Sequence, residues 1–212
     1  RLLARGPRYR LAAEMLRDQA LFVSGLLVEK LGGPSVKPPQ PSGLWEAVAF
    51  TGSNTGIFKA DTGHDKVHRR SMYIFWKRTA APPMMTALDA PSREACVVRR
   101  ERTNTPLQAL MLMNEVQYVE AARVLAERTW KHGGTTPESR LQFLFKNVTC
   151  RTAEPSELAE LNGALQDHLS RYAKDAKAAQ ALIGVGETRA DPALKPSELA
   201  AWTLVANLVL NL

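Results

Sequence analysis

The side chains with the most chemical capacity lie between residues 89 and 108. The run Asp89-Ala90-Pro91-Ser92-Arg93-Glu94 is followed by Arg99, Arg100, Glu101 and Arg102, then by Thr103-Asn104-Thr105-Pro106. Four guanidinium forks suit a carboxylate, sulfate or phosphate. A helix starting after Thr105 would add free backbone N–H groups and a positive dipole end. Together these groups describe an anion site. The competing arrangement closes the arginines onto Asp89, Glu94 and Glu101 and ties the segment to the fold.

Aromatic side chains sit in the same half of the chain: Trp45, Tyr73, Phe75 and Trp76, with Lys77 and Arg78 beside them. Aromatics next to cations suit stacking on a sugar or a base, and they also suit an ordinary core. Asn114 falls in the middle of an apolar helical stripe made by Leu107, Leu110, Met111, Tyr118, Ala121, Ala122 and Leu125. A buried amide there needs hydrogen-bond partners, either a neighbouring loop backbone or a ligand.

Other motifs carry less. His64 and His68 are four apart, a spacing that shares a metal on a helix, but no third ligand stands at a telling distance. Gly52-Ser53-Asn54-Thr55-Gly56 lacks the Gly-Lys-Ser/Thr ending of a phosphate-binding loop. No serine lies in a nucleophile elbow. Asp89 and Glu94 could do acid–base work, but their spacing favours it no more than ion pairing. Cys96 and Cys150 form neither a disulfide framework nor a metal motif. They read as two separate thiols, with a single bridge open to an exported protein. No Cys-x-x-Cys-His is present, so no c-type haem attaches to this chain.

The net charge of +7 and pI near 9.6 invite a polyanion partner. Residues 1–110 hold 17 Lys and Arg against 9 Asp and Glu, whereas residues 111–212 hold 11 against 12. The excess therefore belongs to the first half, and its densest cluster is the 89–102 segment interleaved with acids. That pattern leaves nucleic acid the weakest of the polyanion partners, and no nucleic-acid motif appears. No run of eighteen apolar residues exists, so nothing reads as a membrane span.

The elements that must position these groups are mostly helical. Apolar spacing predicts a long helix over 8–31, stopped by Gly32-Gly33-Pro34. A short helix is expected after Ser42, within a loop-dominated stretch that runs to residue 66. Residues 72–77 and 95–100 read as two strands of a small hairpin, although 69–77 also fits a helix. Thr105-Pro106-Leu107-Gln108 is a capping box with proline at the first helical position, opening a helix to about residue 130. Similar starts occur at Thr136-Pro137, Glu154-Pro155 and Lys195-Pro196, and Asp175 can cap a short helix ending at Gly184. The expected class is mainly α, a helical bundle with a long Pro/Gly-rich loop excursion and at most one small β-hairpin. The chain reads as one domain, 1–212, with a basic loop-rich half (1–104) and a helical half (105–212) sharing one core. It opens on Arg1 and closes without a helix-stop signal, so both ends read as cut.

Several words of the sequence resemble a known family. They are Leu2-Leu3-Ala4-Arg5-Gly6-Pro7-Arg8-Tyr9-Arg10-Leu11 with Glu14, Arg17 and Asp18; Gly43-Leu44-Trp45-Glu46; Arg69-Arg70-Ser71-Met72-Tyr73 with Phe75-Trp76-Lys77-Arg78-Thr79; and above all Asp89 to Glu94 and Arg99-Arg100 through Leu110. They are similar to the C-terminal domain of large planctomycete proteins that carry a cytochrome-c-like domain near the N-terminus, the PSD-type domain of unknown function 1553. Leu88 departs from the usual Phe, and Glu115 from the usual Asp. The resemblance implies a periplasmic, cell-surface or extracellular setting, with c-type haem in another domain of the parent chain. It supplies no reaction.

Three functions follow as expectations. One is an accessory ligand-recognition domain that contacts an anionic or carbohydrate ligand such as an anionic polysaccharide, or packs on the upstream domains of its parent protein. The second is part of an enzyme site completed by the missing upstream domain. The third is nucleic-acid binding, which an exported setting argues against. The expected ligand-binding residues are Trp45, Trp76, Arg78, Asp89, Arg93, Glu94, Arg99, Arg100, Asn104 and Asn114. No metal site is expected.

Overall fold

The computed structural model describes residues 10–47, 52 and 56–212. Expectations that fall on residues 1–9, 48–51 and 53–55 lie outside the described residues. Among those described, ten α-helices and one 3-10 turn build a mainly α fold. The first half holds α1 (Ala13–Ser24), α2 (Leu44–Ala47), α3 (His64–Val67), a 3-10 turn (Ser71–Tyr73) and α4 (Pro83–Ala87). The second holds α5 (Pro106–Asn114), α6 (Val116–His132), α7 (Pro137–Thr149), α8 (Pro155–Lys174), α9 (Ala176–Ile183) and α10 (Pro196–Leu210).

The helix starts obey local chemistry. Proline takes the first turn of α5, α7, α8 and α10, where its missing N–H costs nothing. Thr105 and Gln108 form the expected capping box on α5. The Thr136 hydroxyl accepts from Ser139 N at 3.2 Å, and Asp175 accepts from Ala178 N at 2.9 Å.

Helix α10 is buried along most of its length and packs on α6, α7, α8 and α9. Leu125, Leu144, Phe145, Leu165, Trp202 and Val205 make the centre of that core. A second cluster joins α1 to α6 through Ala20, Leu21, Tyr118 and Ala121. A third sets Ala13 against Ile74, Met85 and Leu88.

Three expectations are corrected. Helix α1 does not run to residue 31. It stops at Gly25, which takes the left-handed conformation (φ 88°) and donates its N–H to the Leu21 and Phe22 carbonyls. The helix after Thr105 is not continuous to residue 130. It breaks at Glu115, whose backbone is extended and whose carboxylate caps the new helix α6. The 72–77 and 95–100 segments form no hairpin. Val36 in the Pro-rich loop takes the backbone bonds instead: Val36 N donates to Tyr73 O at 2.8 Å and Phe75 N donates to Val36 O at 2.7 Å. Val97 and Val98 are exposed, with nothing to pair against.

Helix α6 is the seam between the halves, and its two faces differ. One is apolar and faces the bundle through Ala122, Leu125 and Ala126. The other carries Gln117, Glu120 and Arg123, all buried and three apart, with Glu127 following. These side chains satisfy irregular backbone that no ladder serves. Arg17 of α1 joins them. Its guanidinium donates to Gln117 Oε1 (2.7 Å), Arg69 O (2.7 Å) and Val67 O (2.8 Å), and Gln117 Nε2 also reaches Val67 O (3.0 Å). Glu120 accepts from Glu187 N (3.0 Å) and from Thr188 N (2.7 Å) and Oγ1 (2.6 Å). The turn before them needs Gly186 (φ 102°), because a Cβ there would lie 2.6 Å from Glu120 Oε2.

Candidate functional site

The arginine segment is held down at its two ends. Asp89 has a left-handed backbone (φ 61°) and gathers four donors. Thr103 N (2.7 Å), Thr103 Oγ1 (2.8 Å) and Gln108 Nε2 (3.2 Å) bind its carboxylate, and Arg10 pairs with it. Burial pushes this carboxyl up, but the Thr103 and Gln108 bonds and the Arg10 charge outweigh it and hold it below the usual range.

Between those ends the predicted residues disperse over the surface. Trp76 donates its indole N–H to Ser92 O (3.0 Å), and Arg93 lies 4.4 Å over the Trp76 ring. Arg78 pairs with Glu94 in solvent. Arg100 reaches back to Glu14 of α1 (2.9 Å), in a shallow depression that also holds Asp18 and Arg70. Arg99 makes no ion pair among the described residues, and Asn104 is exposed. Arg100 therefore closes onto α1 rather than onto the acids of its own segment, while Asp89 and Glu94 take Arg10 and Arg78 from outside it.

Asn114 is not the buried amide expected from its stripe. It is exposed and bonds Leu110 O of its own helix at 2.7 Å. The break at Glu115 explains this. It separates α5 from α6, so the apolar positions on the two helices do not form one continuous face. Leu107 and Leu110 consequently stay largely exposed.

Trp45 is placed differently from the other nine. It is buried, 5.2 Å from Phe58 and 6.0 Å from Phe75 by ring centroids, and it backs an apolar cleft of about 240 Å³. One wall is the proline-rich stretch Pro38, Pro39 and Pro41; another comes from Ile74, Phe75, Pro82 and Pro83. Helix α5 supplies Leu107 and Met111, and the α5–α6 junction supplies Glu115 and Gln117. Lys37 lies 4.9 Å over the Phe75 ring and Lys77 lies 4.7 Å over Trp45.

Glu115 is the acidic side chain of this lining. Its Oε2 caps α6, accepting from Gln117 N (2.9 Å) and Tyr118 N (3.3 Å). Burial pushes its carboxyl above the usual range, against the lowering effect of those N–H groups and of Arg17. Sequence reasoning named neither Glu115 nor Gln117 as a site residue. The available signal was an acidic residue directly before a new apolar run, the pattern of a helix start.

His64 and His68 do meet, with their Nδ1 atoms 2.9 Å apart, and the buried His68 Nε2 lies 3.1 Å from Glu120. Among the described residues no group of three or more His, Cys, Asp or Glu is placed to hold a metal. Cys96 and Cys150 are both free and exposed. No described helix is long and apolar enough to cross a membrane.

A family model described as PSD1, protein of unknown function (DUF1553), matches residues 1–165. No curated protein and no solved structure matches the chain.

Proposed function

The chain belongs to the PSD1 family, and we propose that it is a ligand-recognition domain rather than an enzyme. In this reading it serves a larger exported protein whose c-type haem is carried by another domain, the setting that its sequence words imply. One observation carries the recognition role: an apolar cleft backed by Trp45, with a small number of polar groups in its lining. Ligand sites have this character, an apolar lining with few polar groups that fix orientation. The lining favours an apolar ligand body over a polysaccharide, which would leave its hydroxyls unpaired there.

The arginine segment supports an anionic ligand less well. Its guanidinium groups are spread over separate surface contacts rather than aimed at one point. The enzyme reading has one favourable feature, the Glu115 carboxyl held at raised proton affinity, as a general acid would be. Among the described residues no nucleophilic side chain bonds to it, and the nearby Glu120 is taken up by His68, Glu187 N and Thr188, so recognition is preferred.

The test is a panel of compact apolar compounds and anionic glycans, screened for saturable binding by ligand-observed NMR. Apolar compounds should bind the unmodified chain. Ala87, at the end of α4, also lines the cleft, and Ala87→Phe, which fills it, should abolish that binding. Binding that survives Ala87→Phe would place the ligand elsewhere. Retention of glycans that is lost in an Arg99→Ala, Arg100→Ala variant would move the site to the arginine segment.

A further inference from the structure

The cleft carries a polar group that its own fold leaves half used. Glu115 stands at the extended break between α5 and α6 and lines the cleft. Only one of its carboxylate oxygens has structural work. Oε2 accepts both N–H groups at the start of α6, while Oε1 has no hydrogen-bond partner among the described residues. A helix cap needs one acceptor oxygen, which a serine, threonine or asparagine supplies without a charge.

We propose that Glu115 is the polar anchor of the cleft, and that its ligand carries a protonated amine on a compact apolar body. This deepens the ligand-recognition reading and rests on it. Three observations support a cation. The free oxygen belongs to an acid in an apolar lining, where a charge-assisted hydrogen bond is strong. The aromatic rings beside it already attract cations, since Lys37 and Lys77 both lie over ring faces. Arg17 acts on Glu115 from the protein side but offsets its burial only in part, since that carboxyl stays above its usual range. The Arg17 guanidinium is buried, is spent on Gln117, Val67 O, Arg69 O and Ser71, and lies 3.9 Å from Asp18. Burial also raises the proton affinity of Glu115, and a cationic ligand would relieve that.

The cleft's size sets the apolar part. About 240 Å³ lies below the range for drug-sized ligands, so one ring or a short branched chain suits it. Lys37 is the competing anchor, and it would select the opposite charge.

Three probes of one shape separate these outcomes: 2-phenylethylamine, 2-phenylethanol and 3-phenylpropanoate, titrated by calorimetry at pH 7 into the full chain. The amine should bind about tenfold tighter than the alcohol, the scale of one charge-assisted hydrogen bond. The carboxylate should bind most weakly. Glu115→Gln keeps an amide oxygen for the α6 cap and should bring amine and alcohol to equal affinity. If that variant fails to fold, the Glu115 side-chain carboxyl carbon in the unmodified chain gives a second readout. Its NMR resonance should move on adding the amine and stay fixed on adding the alcohol.

Equal affinity of amine and alcohol in the unmodified chain would overturn the anchor and leave the cleft reading standing. So would a preference that survives Glu115→Gln. Strongest binding of the carboxylate would transfer the anchor to Lys37. Failure of all three probes to bind saturably would remove the cleft reading itself, and this inference with it.

Discussion

Glu120→Gln should remove a pH-dependent part of the stability. Glu120 is almost completely buried, against His68 Nε2 at 3.1 Å and three donors from Glu187 and Thr188. Burial alone would push its carboxyl up. The bonds from His68 and Thr188 outweigh that and bring it from an ordinary 4.5 down to about 2. A folded-state value below the unfolded one means that the unfolded chain binds the proton more readily. The stabilisation is therefore fully present above about pH 5 and is lost as pH falls toward 2. At about 1.4 kcal/mol for each tenfold change in proton affinity, it amounts to roughly 3 kcal/mol at neutral pH.

Glutamine keeps the shape and one acceptor oxygen, so the 186–188 turn can still bond, but the charge facing His68 is gone. Urea unfolding followed by far-ultraviolet circular dichroism at pH 7, 5 and 3 reads the difference. The variant should be about 3 kcal/mol less stable at pH 7, nearly as much less at pH 5, and closer to the unmodified chain at pH 3. A deficit that stays constant from pH 7 to pH 3 would show that the charge on Glu120 is not the source. A deficit below about 1 kcal/mol at pH 7 would refute the reasoning outright, because the buried carboxylate would then be no better placed in the fold than in water.

Three further outcomes follow from the same contacts. Arg17→Met should cost about 4 kcal/mol in the same urea assay, since it strands Gln117 Oε1 and the Arg69 carbonyl in a dry seam; a loss below about 1.5 kcal/mol would mean water replaces the guanidinium. Asp89→Ala frees Thr103 and Gln108, so trypsin should cut after Arg93, Arg99, Arg100 or Arg102 several-fold faster, while an unchanged rate would show that other contacts pin the segment. Cys150→Gly should raise stability by about 1 kcal/mol, because Cys150 ends α7 with φ 58°, a conformation that glycine adopts freely; a thermal melt that falls instead would show that the thiol packs usefully.

What the sequence made legible was what is decided locally. Thr105-Pro106-Leu107-Gln108 and Thr136-Pro137 start helices because a cap acceptor and a proline act within one turn, and both starts stand where they were read. The break at Glu115 escaped periodicity because apolar spacing continues past it from Met111 to Tyr118, and its mark was the acid placed as a helix cap. The missing hairpin has a different cause. Tyr73 and Phe75 have strand-like side chains, but the segment finds its backbone partner in Val36, almost forty residues away in a proline-rich loop. Gln117, Glu120 and Arg123 did leave a trace, polar residues three apart in an apolar helix, which signals a buried polar face rather than a solvated one. Of the cleft only Trp45 was picked out, since residues 38–41, 74–83 and 107–117 meet only in the folded chain.

The basic first half and the cleft turn out to be separate facts about the molecule. The arginines from 93 to 102 lie on exposed loop, and the Arg100–Glu14 pair there faces solvent and is of a kind worth at most about 1 kcal/mol. Their charge can steer an approaching partner, but it does not line the concave surface. The cleft is held in place by a different set of groups, in which Arg17 and Gln117 fix the Val67–Ser71 segment against α6 directly beside Glu115. Ligand selectivity in the cleft should therefore depend on one acid and not on the net charge of +7. Raising the salt concentration separates the two. Screening at 0.5 M should weaken any polyanion retention by the arginine loop severely, whereas an amine paired with Glu115 inside an apolar lining should lose little affinity. Equal salt sensitivity of the two would mean that the cleft is open enough for ions to reach Glu115, and an open carboxylate could not discriminate an amine from an alcohol as argued.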